Sequence, residues 1–171
     1  MRFCAYVAAS ACLVLAPAAV AAPRDIPARD LPGEYVATVQ EPGQFTFVDV
    51  KNAERAEGES VRARVYMVEA KPDDQAGKPS PFQAYSIRYD CAAGSMKLDH
   101  IDYVDADFGL IATLMAPPDF QAWPVSEKPD LADAWGFYEI CPTGKAGRPR
   151  MGQGKTWLAI AAAARAKLSP Q

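Results

Sequence analysis

Apolar and polar residues alternate with a period of two through the middle of this chain. Gln44–Lys51 sets Phe45 and Phe47 between polar neighbours. Ser60–Ala70 places Val61, Ala63, Val65 and Met67 against Arg62, Arg64 and Tyr66. Phe82–Cys91 puts Tyr85, Ile87 and Tyr89 on one face, and Ser95–Val104 and Gly109–Met115 continue the pattern. Glu34–Gln40 is a further strand-like run. A period of two predicts half-buried strands with one wet face. Short strands in sequence, separated by short turns, predict antiparallel pairing. Between them, Asn52–Glu59 reads as a turn or a short helical excursion. Residues 71–81, with three prolines and a glycine, read as a loop.

The pattern changes near the C-terminus. Ser126 is placed to cap a helix beginning near Pro129, with Leu131, Ala134 and Trp135 on one face. A Gly/Pro loop occupies 142–154. Lys155–Leu168 is the clearest helix, because Trp157, Ile160, Ala161, Ala164 and Leu168 form one apolar stripe. Its alanines add strong helix propensity. The predicted fold class is α+β, an antiparallel β-sheet of about six short strands packed by a C-terminal α-helix. Nothing repeats at a fixed period.

Residues 1–22 (MRFCAYVAASACLVLAPAAVAA) begin with Arg2, run apolar to about Leu15 and end in small residues after Pro17. That is the pattern of a secretory signal peptide. The apolar core is shorter than the roughly 20 residues a membrane span needs. A retained anchor and lipidation at Cys12 are the alternatives; Cys12 sits inside the apolar run and lacks the usual upstream Leu. The expected product is exported, periplasmic or secreted, with a cell-surface location open to it, and with no integral span after cleavage. Residues 23–33, rich in Pro, read as an extended N-terminal segment, and 34–171 as a single domain. Two cysteines then remain, Cys91 and Cys141, and in an oxidising compartment an even pair is most simply a disulfide. Two buried thiols are the alternative. A zinc site needs more ligands than two cysteines and one histidine provide.

Charge is uneven. All 21 acidic residues precede residue 142. Beyond it stand Lys145, Arg148, Arg150, Lys155, Arg165 and Lys167 with no acid. Lys145, Arg148, Arg150 and Lys155 are therefore candidate partner-binding residues, toward a protein or an anionic surface polymer. The other reading is a basic helix end and loop that fold onto the acidic body. Overall acidity and export argue against a nucleic-acid partner.

Three motifs invite chemistry. Gly152-Gln153-Gly154-Lys155-Thr156 looks like the end of a phosphate-binding loop, but Pro149 stands where the first glycine must be, and proline has no amide to donate. Asp99-His100-Ile101-Asp102-Tyr103-Val104-Asp105-Ala106-Asp107 gathers four carboxylates with the only histidine. On a strand His100 and Asp102 share one face and Asp99 takes the other. His100 with Asp102 could serve as base and orienter. The segment lacks the glycine and terminal Glu of a calcium loop, so a solvated strand face with an acidic turn is the simpler account. There is no G-x-S-x-G elbow, and the serines read as lying in turns or at strand starts. No catalytic residue, metal ligand or cofactor is assigned.

Tyr85-Ser86-Ile87-Arg88-Tyr89-Asp90-Cys91-Ala92-Ala93-Gly94 ends a strand in Tyr-Asp-Cys-Ala, and Met96–Tyr103 follows as another. Gly109, then Trp123-Pro124, then a helix closing on Cys141 come next. This order resembles the bacterial surface-adhesin protein E-like family over roughly residues 35–141. The resemblance implies a small exported protein with an antiparallel sheet and a helix, and binding to host matrix and serum proteins. No binding residue is carried over, and a credible lipid-attachment cysteine is missing here.

The sequence therefore points to an exported, non-catalytic binding or envelope-associated protein, adhesin-like, of unknown partner. The alternative is a small periplasmic hydrolase using His100 and nearby carboxylates. Polar groups converging in one cleft favour the enzyme; a flat face with exposed Tyr, Trp or Arg favours binding.

Overall fold

The computed structural model describes residues 31–56, 60–75, 77–141 and 147–168. The leader at 1–22, most of the segment 23–33, and Lys145 lie outside the described residues. Strands β1 (Tyr35–Glu41), β2 (Gln44–Asp49), β3 (Glu54–Arg55), β4 (Ser60–Gln75), β5 (Lys78–Asp90), β6 (Ser95–Val104), β7 (Leu110–Met115) and β8 (Trp123–Pro124) precede helices α1 (Pro129–Ala134) and α2 (Phe137–Ile140). Strand β9 (Arg150–Met151) and helix α3 (Trp157–Leu168) close the chain. The fold is α+β, with every strand pairing antiparallel in one open sheet of order β7-β6-β5-β4-β2-β1-β9.

The sheet has more strands than the alternation predicts, because three of them are two residues long and carry no period. Each fills a gap. β3 pairs with Arg62 and Val61 of β4, where β2 has ended. β8 pairs with Ser95 and Met96 of β6, where β7 has ended. The loop expected at 71–81 is instead the tip of the β4–β5 hairpin, with Asp73 opposite Ser80 and Gln75 opposite Lys78. Its prolines are tolerated because β2 leaves β4 at Glu69 and β6 leaves β5 at Phe82. Beyond Ala70, whose amide still donates to the Gly43 carbonyl at 2.8 Å, neither strand has a second strand partner among the described residues.

Both faces of the sheet are covered, each over part of its area. Tyr35, Phe47, Tyr66, Val68, Phe82 and Val104 point to one face and pack with Trp157, Ala161 and Ala164 of α3. Tyr66 stacks on Trp157 with ring centroids 4.7 Å apart. Of the stripe read from the sequence, Trp157, Ala161 and Ala164 are buried and Ile160 and Leu168 partly so. Val36, Val48, Ala63, Val65, Ile87, Tyr89 and Met96 point to the other face and pack with Ala132, Phe137 and Cys141 of the α1–α2 segment. β4 thus buries Tyr66 on what the alternation marks as its wet face, while Arg62 and Arg64 on that same face escape α3. This exception makes the site described below.

The α1–α2 segment is held at three points. Thr38 Oγ1 donates to the Ala134 carbonyl at 2.6 Å, Tyr89 Oη donates to that of Trp135 at 2.5 Å, and Cys91 is bonded to Cys141 with Cα atoms 5.3 Å apart. Ser126 does not cap α1; Lys128 occupies the cap position, makes no side-chain hydrogen bond there, and Pro129 starts the helix. Proline at that point loses no intrahelical bond. Gly136 separates α1 from α2 at φ 75°, and a Cβ there would lie 2.8 Å from Val48 Cγ1.

Gly33, expected in the extended N-terminal segment, is buried and fixed. Its amide donates to the Lys155 carbonyl at 2.9 Å, and its carbonyl accepts from Gly154. The Gly152–Lys155 turn is the other half of that clasp and leads into α3. Its glycines serve a tight turn, with φ 63° and 73° at Gly152 and Gly154.

Candidate functional site

The uncovered half of the α3 face is polar because of strand register. Arg64 lies opposite Ser86, and Arg62 opposite Arg88, across β4 and β5. Ser86 lies opposite His100, and Ala84 opposite Asp102, across β5 and β6. Asp102 lies opposite Thr113 on β7. Side chains at directly paired positions share a face, so four strands contribute one polar patch.

Asp99 joins this patch against expectation. Alternation alone sends it to the opposite face from His100. The ladder runs from Ser86–His100 directly to Ile87–Leu98, so Asp99 is the extra residue of a β-bulge. A bulge breaks strict alternation and re-aims a side chain. Asp99 accepts from Arg62 Nε at 3.0 Å and from Arg88 Nη2 at 3.2 Å. Asp102 is buried and accepts from Thr113 Oγ1 at 2.7 Å. Its second oxygen lies 3.7 Å from His100 Nε2 and 3.8 Å from Arg64 Nη1, ion-pair range but beyond a hydrogen bond.

These groups border a hollow of about 610 Å³ lined by Glu54, Arg62, Arg64, Ser86, Arg88, Lys97, Asp99 and His100, with Met115, Ala116, Pro117 and Pro118 forming an apolar wall. A smaller hollow of about 160 Å³, reaching Asp49 and Asn52, shares Glu54, Arg62 and Arg64 with it. Burial pushes His100 below its ordinary value of 6.5, and the Arg64 and Arg62 charges push the same way against Asp102 and Asp99. The imidazole is therefore neutral at pH 7. Four cations (Arg62, Arg64, Arg88, Lys97) and two carboxylates (Glu54, Asp99) then line the hollow, and Asp102, outside the lining, ion-pairs with Arg64, which leaves a surplus of one positive charge.

Four buried polar atoms here lack a hydrogen-bond partner in the protein: Arg64 Nη1, Ser86 Oγ, Arg88 Nε and Asp102 Oδ2. Ser86 is fully buried. Leaving such a group unpaired costs about 1–3 kcal/mol each, and native proteins ordinarily satisfy them. Three of the four belong to residues that line this hollow.

The remaining sequence candidates fall elsewhere. Of the acidic run, Asp105 caps its own turn, accepting from the amides of Asp107 and Gly109, and Asp107 is exposed. Of the basic candidates, Arg148 is ion-paired to Asp133 at 2.6 Å, and its amide donates to Glu139. Arg150 pairs with Glu34 at 3.5 Å. Lys155 is exposed on the rim of a mostly apolar cavity of about 460 Å³ between α3 and the β1–β2 turn. Of these three, Arg148 and Arg150 are ion-paired and Lys155 is exposed. Two of the three hold the C-terminal segment to the body. Among the described residues no His, Cys, Asp and Glu group could hold a metal ion, and no helix is long and apolar enough to cross a membrane.

Sequence reasoning found His100, Asp99 and Asp102 but missed Arg62, Arg64, Ser86 and Arg88. Ser86 lies mid-strand, not in a turn or at a strand start. The available signal was that Arg62, Arg64, Ser86 and Arg88 all fall on the face opposite the most apolar positions of their strands. Comparison with protein-family models, curated proteins and solved structures finds no match.

Proposed function

We propose that this is an exported, non-catalytic binding protein of the cell envelope, which holds its ligand in the polar hollow on β4, β5 and β6. One observation carries the reading. Three buried atoms without a hydrogen-bond partner, Arg64 Nη1, Ser86 Oγ and Arg88 Nε, belong to residues that line a single open hollow. The leader pattern and the Cys91–Cys141 bridge support export. The resemblance to the surface-adhesin protein E-like family agrees with a binding role.

Polar groups do converge in a cleft, which is also what a hydrolase needs. His100 beside Asp102 favours that alternative. The rest of the geometry does not support it. Asp99 is held by two arginines, and Asp102 by Thr113 with Arg64 and His100 beside it. Ser86 Oγ has no hydrogen-bond partner, so no base is in place to activate it as a nucleophile. The site is rich in positioned donors and, among the described residues, holds no nucleophile hydrogen-bonded to a base.

The test is an amide NMR titration of the purified protein with fractionated envelope extract, run beside assays for ester and glycoside cleavage. Saturable shifts at Arg64, Ser86, Arg88 and His100, with no turnover, are expected. Turnover abolished by His100→Ala would replace binding with hydrolysis.

A further inference from the structure

We infer that the hollow recognises a small monocarboxylate with an apolar body, its carboxylate on Arg64, Arg88 and Ser86 and its body against Met115 and Pro117. This deepens the binding reading and rests on it.

The donors set the charge of the guest. Arg88 gives Nη2 to Asp99 and keeps Nε, while Arg64 Nη1, 3.8 Å from Asp102 Oδ2, makes no hydrogen bond. Ser86 stands directly across from Arg64 and two positions from Arg88 on the same face. Its buried hydroxyl is a third donor between two guanidinium groups. Guanidinium N–H groups match the oxygens of a carboxylate in spacing and strengthen when the acceptor is charged. The surplus of one positive charge suits a monoanion; a dianion would leave the hollow net negative. Asp102 Oδ2 does not reverse this, because Arg64 and His100 stand within 3.8 Å and 3.7 Å of it.

The wall sets the body. Met115 is 60% exposed at the edge strand β7 and, with Pro117 and Pro118, lines the side of the hollow away from β4. Covering an exposed thioether and two proline rings favours an aliphatic group there. A volume of about 610 Å³ accommodates such a molecule.

The experiment is calorimetry and amide NMR at pH 7 with hexanoate, its neutral isostere hexanamide, and inorganic phosphate. Hexanoate should shift Arg64, Ser86, Arg88 and Met115 saturably and bind at least about tenfold tighter than hexanamide, the loss expected for a charged hydrogen bond. Phosphate should compete poorly. Arg88→Lys, which keeps a charge beside Asp99, should weaken hexanoate about tenfold while amide dispersion and thermal midpoint stay near wild type. Equal binding of hexanoate and hexanamide, tighter binding of phosphate, or shifts elsewhere would overturn the inference. A neutral envelope component that shifts the hollow when hexanoate does not would remove the carboxylate but leave the binding function. Turnover dependent on His100 would remove the binding function itself.

Discussion

At the scale of single residues, His100 couples the hollow to pH. Its imidazole is half-buried between Asp102, Asp99, Arg64 and Arg62, with Ser86 and Met115 as its strand neighbours. Burial, the largest cause, holds its folded pKa below 6.5. The sign follows from linkage. Between the folded value and 6.5 the unfolded chain carries the proton and the folded chain does not, so stability falls as pH drops through that window. Above 6.5 both states are neutral and the contribution is flat. Urea midpoints at pH 7.5, 6.5 and 5.5 for wild type and His100→Gln check this. The carboxylates contribute to both proteins, so the difference isolates the histidine. A wild type no steeper than the mutant would contradict burial as the cause.

Phe108 is the other residue with a sharp expectation. It holds φ 62°, unusual for a bulky side chain, at the turn after β6. The ring repays that strain by stacking on Phe82 with centroids 4.7 Å apart and meeting Trp157 edge-on at 5.9 Å. Phe108→Ala keeps the strained backbone and removes the packing. It should lower stability by about 2–4 kcal/mol, somewhat less than a fully enclosed Phe because Phe108 is partly exposed. Phe108→Gly relieves the backbone as well and should be the milder of the two. Chemical denaturation ranks them, and the opposite order would mean the backbone strain is negligible.

At the scale of elements, the bridge is the clearest case. Cys91 directly follows β5 and Cys141 is the C-cap of α2, with a sequence separation of 50. Closing a loop of that size is worth about 4 kcal/mol in the chain-entropy view. Cys91→Ala with Cys141→Ala should therefore cost about 2–4 kcal/mol and raise hydrogen exchange first in α1 and α2. Uniform loss of protection across sheet and helices would show that the bridge does not specifically hold this segment. The same scale shows what the sequence could tell. β1, β2, β4, β5, β6, β7 and α3 were legible because each is long enough to display a period. β3, β8 and β9 were not, since two residues have no period and form only because β4, β6 and β1 leave a free edge beside them. The site was half legible. Composition drew attention to His100 and its acids, but their partners come from other strands, and register between strands is a property of the whole ladder. The bulge at Asp99 turns on one extra residue opposite Ser86 and Ile87, which no alternation within β6 announces.

At the scale of the whole molecule, two apolar clusters sit on opposite faces of the same strands. β4 gives Tyr66 and Val68 to one and Ala63 and Val65 to the other. β2 gives Phe47 to the first and Val48 to the second. Neither cluster can lose these strands without exposing its neighbour, so the faces should unfold together. The tryptophans make this measurable. Trp157 is buried under α3, while Trp123 and Trp135 pack on the opposite face, 5.0 Å apart between ring centroids. A variant with Trp123 and Trp135 replaced by Phe reports the α3 face, and Trp157→Phe reports the other. Each substitution changes the midpoint, so each variant is compared with its own far-ultraviolet circular dichroism in urea. With the bridge intact, fluorescence and dichroism should coincide in both variants, within about 0.2 M. A fluorescence midpoint that clearly precedes the dichroism in only one variant would mean that its helical cover leaves while the sheet survives. On β4, Arg64 is two residues from Tyr66, which stacks on Trp157 of α3, so early loss of α3 would loosen the strand that carries the site before the fold is lost.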